Sequence, residues 1–239
     1  MSSLRERAYE NFQQQIVEAH IRPGQFVSQR ELMQLLDMPL GAVRELIPRL
    51  EAEGLLRTVP QRGLQIVQAD ITLVNNAFGL RRLIELEAAR RYVETVSGTE
   101  LDAVEAAHRA IVERARSGPI DDALLNDATA VDWGLHDRMV DALGNALVSQ
   151  TYRINSLRVR LIRLEGSLLS ADALLPAMEE HLWFLTALRR RDAPAVLARL
   201  GHHIDSAHRR VLGLARPPLP AEPGEAQTAN DANDANPTT

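Results

Sequence analysis

The chain has 239 residues, 45% of them hydrophobic, and no cysteine, which excludes a wholly disordered chain, disulfides, thiolate metal sites and cysteine nucleophiles. Its net charge is −5, and all 27 basic side chains are arginine because the sequence contains no lysine, which excludes Schiff-base lysine chemistry and a P-loop. The amino terminus has no apolar signal core, and no apolar run approaches the ~18 residues of a membrane helix, so we expect a soluble, cytoplasmic protein.

Composition divides the chain into three segments. Residues 1–70 combine short helical patterns with one β-rich stretch, and residues 71–215 are almost wholly helical in pattern. Residues 216–239 contain a proline cluster and an Asn-Asp-Ala repeat, with one leucine as their only large apolar residue. The sequence therefore predicts two domains, 1–70 and 71–215, and a disordered tail over 216–239.

The first segment begins with a predicted helix over residues 4–20, followed by a turn at 22–25. Ser28 is then predicted to be a helix N-cap, because Glu31 three residues later completes a capping box. The second helix extends from this cap to about Leu36.

A third helix is predicted over residues 39–54, where a glycine ends it. Pro48 falls inside this helix and should kink it or leave a carbonyl unpaired. Two short strands, Leu55–Val59 and Leu64–Gln68, follow and are joined by a turn at 60–63. This order of elements predicts a winged helix-turn-helix, whose third helix is narrow enough to enter a major groove about 12 Å wide.

Five short motifs of this segment resemble the GntR family of bacterial transcription regulators. They are Pro23-Gly24, Arg30-Glu31-Leu32, Val43-Arg44-Glu45, residues 50–56 and residues 60–63. The resemblance implies that Arg30, Arg44 and the wing pair Arg62-Gly63 contact DNA; a solvated helix face is the alternative for each arginine. Because residues 1–70 hold eight arginines against nine acidic residues, DNA affinity must depend on where the charges lie and not on net charge.

The start of the third helix departs from the family pattern. A stretch similar to Ser-Arg-x-Pro usually opens the recognition helix, whereas this chain has Pro39-Leu40-Gly41-Ala42. One expected arginine and one hydroxyl are missing, so two groups of the family's usual base-contacting pattern are absent from this stretch. Leu40 either contacts a thymine methyl group or packs within the domain.

Breaks at glycine, proline and asparagine divide residues 72–215 into six predicted helices, which indicates a helical bundle. The stretch 81–89, together with Gly144-Asn145 and the histidine pattern described next, resembles the FCD effector domain of the FadR subfamily. Six helices resemble its shorter, VanR-like branch. The predicted fold class is therefore mainly α, with an N-terminal winged helix-turn-helix followed by an all-α six-helix FCD bundle.

Four side chains of the second segment match the metal motif of FCD domains. Asp132 and His136 are four residues apart on one predicted helix, while His181 and His203 lie on two later helices. Single histidines are more often ordinary core or surface residues, so the resemblance carries this assignment. Three imidazoles and one carboxylate suit a borderline divalent ion, with Zn²⁺ as first choice and Ni²⁺ or Mn²⁺ as alternatives.

The remaining histidines are predicted to lie outside this site. His203 is preferred over its neighbour His202, because Leu200, His203 and Ala207 share one helical stripe. The other three histidines match no motif and are expected to be solvated; they are His20, His108 and His208.

Arginines of the second segment offer sites for an anion. Arg81 matches the arginine that begins the first FCD motif, and the resemblance implies that it binds the effector, with a bidentate carboxylate pair as the contact. An i,i+4 ion pair with Glu85 is an equal alternative. A cluster of three arginines on one later helix adds positive potential or is simply solvated, and it comprises Arg158, Arg160 and Arg163. Asn145 is expected to cap a helix and not to bind ligand.

The resemblance as a whole implies a ligand-responsive bacterial DNA-binding regulator, most simply a repressor, that senses a small organic or sugar acid at a metal-containing site. A homodimer would bind a near-palindromic operator. The alternatives are a regulator that senses the metal ion itself and a helical metalloenzyme. We expect no enzyme, because Glu179 and Glu180 precede His181 without forming an HExxH motif.

Overall fold

The structure is a computed structural model that describes residues 3–165, 171–215 and 217. Within these residues the chain is mainly helical, as the sequence predicts, and has nine helices and one small sheet. Apart from Pro217, the predicted disordered tail over 216–239 lies outside the described residues. No helix of the described part is both long and apolar enough to cross a bilayer.

The N-terminal elements are those of a winged helix-turn-helix. In chain order they are α1 (Leu4–Val17), β1 (Phe26–Val27), α2 (Gln29–Leu36), α3 (Leu40–Ala52), β2 (Leu56–Val59) and β3 (Gly63–Ile66). The strands form one antiparallel sheet in the order β1-β3-β2. Strand β1 is absent from the sequence prediction, because two residues are too few to show an alternating pattern.

Local side chains fix where the helices begin and end. The predicted capping box is present: the Ser28 hydroxyl accepts from the Glu31 amide at 3.1 Å, and the Glu31 carboxylate accepts from the Ser28 amide at 2.7 Å. Helix α1 ends at Val17, three residues before the predicted end, and Ala19 adopts a positive φ of 60° that no helix continues.

Helix α3 continues through its internal proline without interruption. Pro48 lacks the amide that would bond the carbonyl of Arg44 one turn earlier. Both residues are exposed, so water can satisfy that carbonyl. Water can therefore supply the hydrogen bond that Pro48 removes from the helix.

The C-terminal part is an all-α bundle whose six helices end close to the predicted breaks. They are α4 (Ile71–Thr95), α5 (Gly98–Ser117), α6 (Asp122–Asp141), α7 (Ala146–Glu165), α8 (Ala171–Arg189) and α9 (Ala193–Val211). Helix α4 packs against α6, α7 and α9, and helix α8 packs against α5, α6 and α9. This arrangement turns one face of α6, α8 and α9 toward a common interior.

Helix α7 takes part in two hydrophobic cores. Tyr152, Val159 and Ile162 belong to the core of the bundle. Leu157 and Leu161 belong to the core of the winged helix-turn-helix, whose other buried members all lie within residues 8–66. The two parts of the chain are thus packed together through one helix.

Candidate functional site

The four predicted metal ligands meet in the interior of the bundle. Asp132 and His136 come from α6, His181 from α8 and His203 from α9, and all four side chains are buried. One candidate ligand atom from each lies within 4.8 Å of every other. The i,i+4 spacing on α6 places two of them on one helical face, and helix packing supplies the other two.

The imidazole of His181 stands at the centre of the cluster. Its Nε2 atom lies 3.2 Å from His136 Nε2 and 3.1 Å from His203 Nε2. The same atom lies 3.6 Å from a carboxylate oxygen of Asp132. His202 is half-buried and faces Trp183, so the structure places His203 and not His202 in the cluster.

Two buried carboxylates contact the Nδ1 atoms of two ligand histidines, on the side of each ring that points away from the cluster. His136 Nδ1 lies 2.8 Å from Glu85 Oε2, and His203 Nδ1 lies 2.9 Å from Glu180 Oε2. Glu180 accepts from His203 Nδ1, which leaves the His203 Nε2 lone pair toward the cluster. Glu85 makes a close charge contact with His136 Nδ1, and the proton of that ring lies on Nδ1 because Arg81 Nη2 donates to its Nε2 atom. Sequence analysis gave neither glutamate this role, because both contacts depend on how separate helices pack.

His108 orients the third ligand, and the prediction that it is solvated is wrong. It is buried, and its Nδ1 atom lies 2.7 Å from the Val104 carbonyl, to which it must donate. Its Nε2 atom therefore accepts from His181 Nδ1, 3.0 Å away, and the His181 Nε2 lone pair faces the cluster. Val104, His108 and Ile111 share the apolar stripe of α5, and that spacing is the signal that could have identified it.

The donor set fits a divalent cation. With protons on the Nδ1 atoms, the Nε2 lone pairs of the three histidines and the Asp132 carboxylate converge, and Arg81 Nη2 donates to the His136 lone pair at 2.9 Å. An ion bound by His136 Nε2 would take the place of that hydrogen bond. Two nitrogens each bound to one ion at about 2.0–2.1 Å would be about 2.8–3.4 Å apart at octahedral or tetrahedral angles, which matches the separations of 3.2 and 3.1 Å around His181. Burial lowers the pKa of His181 well below its usual value and that of His203 to about 4, so both are neutral ligands at physiological pH.

Arg81 lies beside this cluster and is completely buried. Its Nε atom donates to Glu85 Oε1 at 2.6 Å, so the i,i+4 ion pair is present. Its Nη2 atom lies 2.9 Å from His136 Nε2. Burial disfavours the ionised form of Glu85, but Arg81 and His136 outweigh that effect and hold its pKa below the usual range. Arg81 therefore places a permanent positive charge at the edge of the cluster.

The predicted DNA-contacting arginines are all exposed on the winged helix-turn-helix. Arg44 projects from α3, and its Nε atom donates to the Gln29 side chain at 3.4 Å, which places it beside the start of α2. Arg62 lies in the turn between β2 and β3, with its guanidinium 4.0 Å above the ring of Phe26. All three charges are open to a polyanion.

Gly63 has a structural reason to be glycine. Its φ is 95°, and a Cβ atom there would lie 3.2 Å from the Val27 carbonyl oxygen. The glycine thus allows β3 to approach β1 closely and shapes the wing that carries Arg62.

The arginines predicted as a cluster on α7 have separate contacts. Arg158 Nη2 donates to the Glu53 carbonyl at the end of α3, and the Arg160 guanidinium lies 4.4 Å from the ring of Trp133. The expectation that they are simply solvated is therefore wrong for these two. The side chain of Arg163 lies outside the described residues.

The other polar predictions are mostly confirmed. The Asn145 side chain accepts from two amides at the start of α7, at 3.1 and 3.3 Å, so it caps that helix as predicted. His20 is exposed. His208 is half-buried, stacks on Phe78 at 4.8 Å and lies 3.0 Å from the Asn75 side chain, so it is not simply solvated.

A winged helix-turn-helix joined to an all-α bundle with a buried polar site defines a DNA-binding transcription regulator with an effector domain. Residues 4–66 match the family described as bacterial regulatory proteins, gntR family, and residues 76–206 match the FCD domain. The chain belongs to the GntR family of transcription regulators, and its effector domain is an FCD domain. It is a ligand-responsive DNA-binding regulator.

Named relatives are also transcription regulators. The chain is 25% identical over 207 residues to the HTH-type transcriptional repressor RspR of Escherichia coli, which covers 84% of this chain and 86% of that protein. It is 27% identical over 194 residues to the Nta operon transcriptional regulator of Aminobacter aminovorans, with 79% and 87% covered.

Solved structures share the fold. E. coli McbR/YncC matches with a TM-score of 0.73 and 18% identity over 89% of this chain and 99% of that chain. A putative transcriptional regulator GntR from Rhodococcus sp. RHA1 matches with the same TM-score and identity over 90% and 100%. A structure described as the metal-free FCD domain of TM0439 matches with a TM-score of 0.51 and 17% identity over 60% of this chain and 94% of that chain.

Proposed function

We propose that the chain is a repressor of the FadR subfamily, VanR-like branch, that releases its operator when a small organic or sugar acid binds in the FCD domain. The observation that carries this proposal is the buried convergence of three imidazoles and a carboxylate next to Arg81. The proposed domains are 1–70 for DNA and 71–215 for effector and dimerisation, and the protein acts in the cytoplasm, where its DNA target lies.

The metal centre would be held by the four clustered side chains, with Zn²⁺ as the first choice and Ni²⁺ or Mn²⁺ as alternatives. When bound, the ion supplies a positive centre that takes a carboxylate oxygen at a position the protein leaves free. Asp132, His136, His181 and His203 hold the ion, and Arg81 offers a second positive charge at a fixed distance. A buried cation and a buried guanidinium together lower the cost of removing an anion from water.

DNA binding would use the exposed arginines of the winged helix-turn-helix. Arg44 on α3 reads a base in the major groove, while Arg30 and Arg62 contact phosphates and Gly63 shapes the wing. Two copies in a homodimer would place two recognition helices on the half-sites of a near-palindromic operator.

The metalloenzyme alternative is disfavoured by the positions of its two candidate bases. Glu179 pairs with Arg116 on the surface at 2.8 Å, and Glu180 binds the far side of His203. Neither faces the Nε2 atoms of the cluster. The alternative, in which the metal ion itself is the signal, differs in one observable: metal alone would release the operator, without any acid.

The proposal is tested by metal content and by DNA binding measured together. Purified protein should hold about one divalent ion per chain, and a His181→Ala/His203→Ala variant should hold none while staying helical. His20→Ala is the matched control, because His20 is exposed and should leave the metal content unchanged. Stoichiometric metal in the double variant would contradict the assignment.

The second half of the test selects operator fragments from genomic DNA with the purified protein. Metal-loaded protein should bind a near-palindromic sequence, and a panel of organic and sugar acids should contain at least one that weakens this binding. Release by metal titration alone, with no response to any acid, would favour a metal-ion sensor instead.

A further inference from the structure

A single carboxylate links the candidate metal centre to helix α7. The Tyr152 hydroxyl donates to Glu85 Oε1 at 2.8 Å, and the same oxygen accepts from Arg81 Nε at 2.6 Å. The other oxygen of Glu85 faces His136 Nδ1 at 2.8 Å. Glu85 thus holds together a metal ligand, the candidate effector-binding arginine and a residue of α7. All four side chains are buried, so these contacts are shielded from water.

Helix α7 connects Tyr152 with the hydrophobic core of the winged helix-turn-helix. Leu157 and Leu161 lie five and nine residues beyond Tyr152 and are buried in the N-terminal core. Nine residues of helix span about 14 Å, and a packed helix moves as a stiff unit. A small displacement at Tyr152 is therefore carried along the helix to these leucines.

Beyond Tyr152, helix α7 contacts the C-terminal end of the recognition helix α3. Arg158 donates to the carbonyl of Glu53, the C-cap residue directly after α3. The Glu53 carboxylate accepts from Tyr9 at 2.7 Å and from Arg49 at 2.9 Å. The contact with Arg158 is therefore anchored on both α1 and α3, and a shift of α7 acts directly on the helix that carries Arg44.

We propose that Glu85 and Tyr152 are positioning residues that transmit occupancy of the metal centre through α7 to the recognition helix α3. This inference rests on the proposed function, and it assigns a route for the response. A ligand that changes the geometry of His136 or Arg81 changes the hydrogen bonds of Glu85, and Tyr152 follows. The response needs two arrangements of α7 that differ in their contacts with the site.

The route is tested by hydrogen exchange with Zn²⁺ as the only added ligand. In the wild-type protein, Zn²⁺ should slow exchange in α6, α8 and α9, and also in the peptide that covers the end of α3, there by roughly fivefold or more. Tyr152→Phe keeps the ring and removes the hydroxyl, so it should keep the slowing in the three bundle helices and lose it in α3. Tyr92→Phe is the matched control, because Tyr92 is equally buried and also donates to a glutamate, but away from the site.

Slowing of α3 that persists in Tyr152→Phe would overturn the inference. Zn²⁺ that protects the bundle helices of the wild-type protein but leaves α3 unchanged would overturn it too, while leaving the proposed metal site intact. A wild-type protein that binds none of Zn²⁺, Ni²⁺ and Mn²⁺ would overturn the metal site itself.

A second variant keeps the test decisive if Tyr152→Phe fails to bind Zn²⁺. Arg158→Ala removes the contact with Glu53 far from the metal ligands, so Zn²⁺ should still protect α6, α8 and α9 but no longer α3. Undiminished protection of α3 in this variant would contradict the proposed route.

Discussion

Each histidine of the candidate metal centre is oriented by a partner on its far side, and the partners differ. Carboxylates hold His136 and His203, whereas a second imidazole, that of His108, holds His181. A carboxylate raises the electron density of its imidazole more than a neutral imidazole does. The imidazoles of His136 and His203 should therefore donate more strongly to a metal ion than the central imidazole of His181.

The partner of His203 offers a direct test of this arrangement. Glu180→Gln should weaken Zn²⁺ affinity by roughly 10–100-fold, because the amide supports the Nδ1 proton less well than a carboxylate. Glu179→Gln is the control, since the neighbouring glutamate is exposed and binds Arg116. Competition with a chelating dye measures both, and equal affinities in the two variants would remove Glu180 from the site.

Arg44 is the residue on which sequence-specific DNA recognition is proposed to depend. Arg44→Ala should cost roughly 1–3 kcal/mol of operator binding, the value of one bidentate base contact. Arg90→Ala removes the same charge from an exposed position on α4, paired with Glu87, and should leave binding unchanged. Fluorescence anisotropy with selected operator DNA compares the two, and equal losses would show that Arg44 contributes only general charge.

Individual residues of the site could be predicted from the sequence only where they belong to a recognisable motif. The four ligands were predicted from a resemblance, and the structure brings them together. Glu85 and Glu180 were not predicted to contact the ligand histidines, and His108 was wrongly predicted to be solvated, because these contacts join helices whose packing no local pattern describes. His108 shows the limit most clearly, since its place on an apolar stripe was visible and its partner was not.

At the scale of elements, helix-breaking residues predicted the ends of the helices better than helix propensity did. The six helices of the bundle end near glycine, proline and asparagine, and these residues act locally. Strand β1 escaped prediction because only its pairing with β3 defines it. The wing depends on one conformational constraint, the positive φ of Gly63.

Two glycine substitutions should therefore change stability in opposite directions. Gly63→Ala should lower the free energy of unfolding by roughly 1–3 kcal/mol, because the new Cβ meets the Val27 carbonyl at a strained backbone angle. Gly134→Ala, within α6 and with open space around its position, should raise it by roughly 0.5–1 kcal/mol. Urea denaturation measures both, and a neutral Gly63→Ala would show that the wing relaxes freely.

At the scale of the whole molecule, the winged helix-turn-helix and the bundle share helix α7. Its apolar residues enter both cores, and Arg158 binds the end of the recognition helix. No sequence pattern indicated this, because α7 looks like an ordinary amphipathic helix until both of its partners are placed. A shared helix gives a buried site a physical means of affecting DNA binding at a distance.

In the proposed function, an acid acts on DNA binding through the metal centre. The most direct measurement is the operator affinity of wild-type protein loaded with Zn²⁺, with and without each member of an acid panel, beside the His181→Ala/His203→Ala variant. At least one acid should change the wild-type affinity by about 5–150-fold, and the same acid should leave the affinity of the variant unchanged. An equal response in the metal-free variant, or no response to any acid in the wild type, would contradict it.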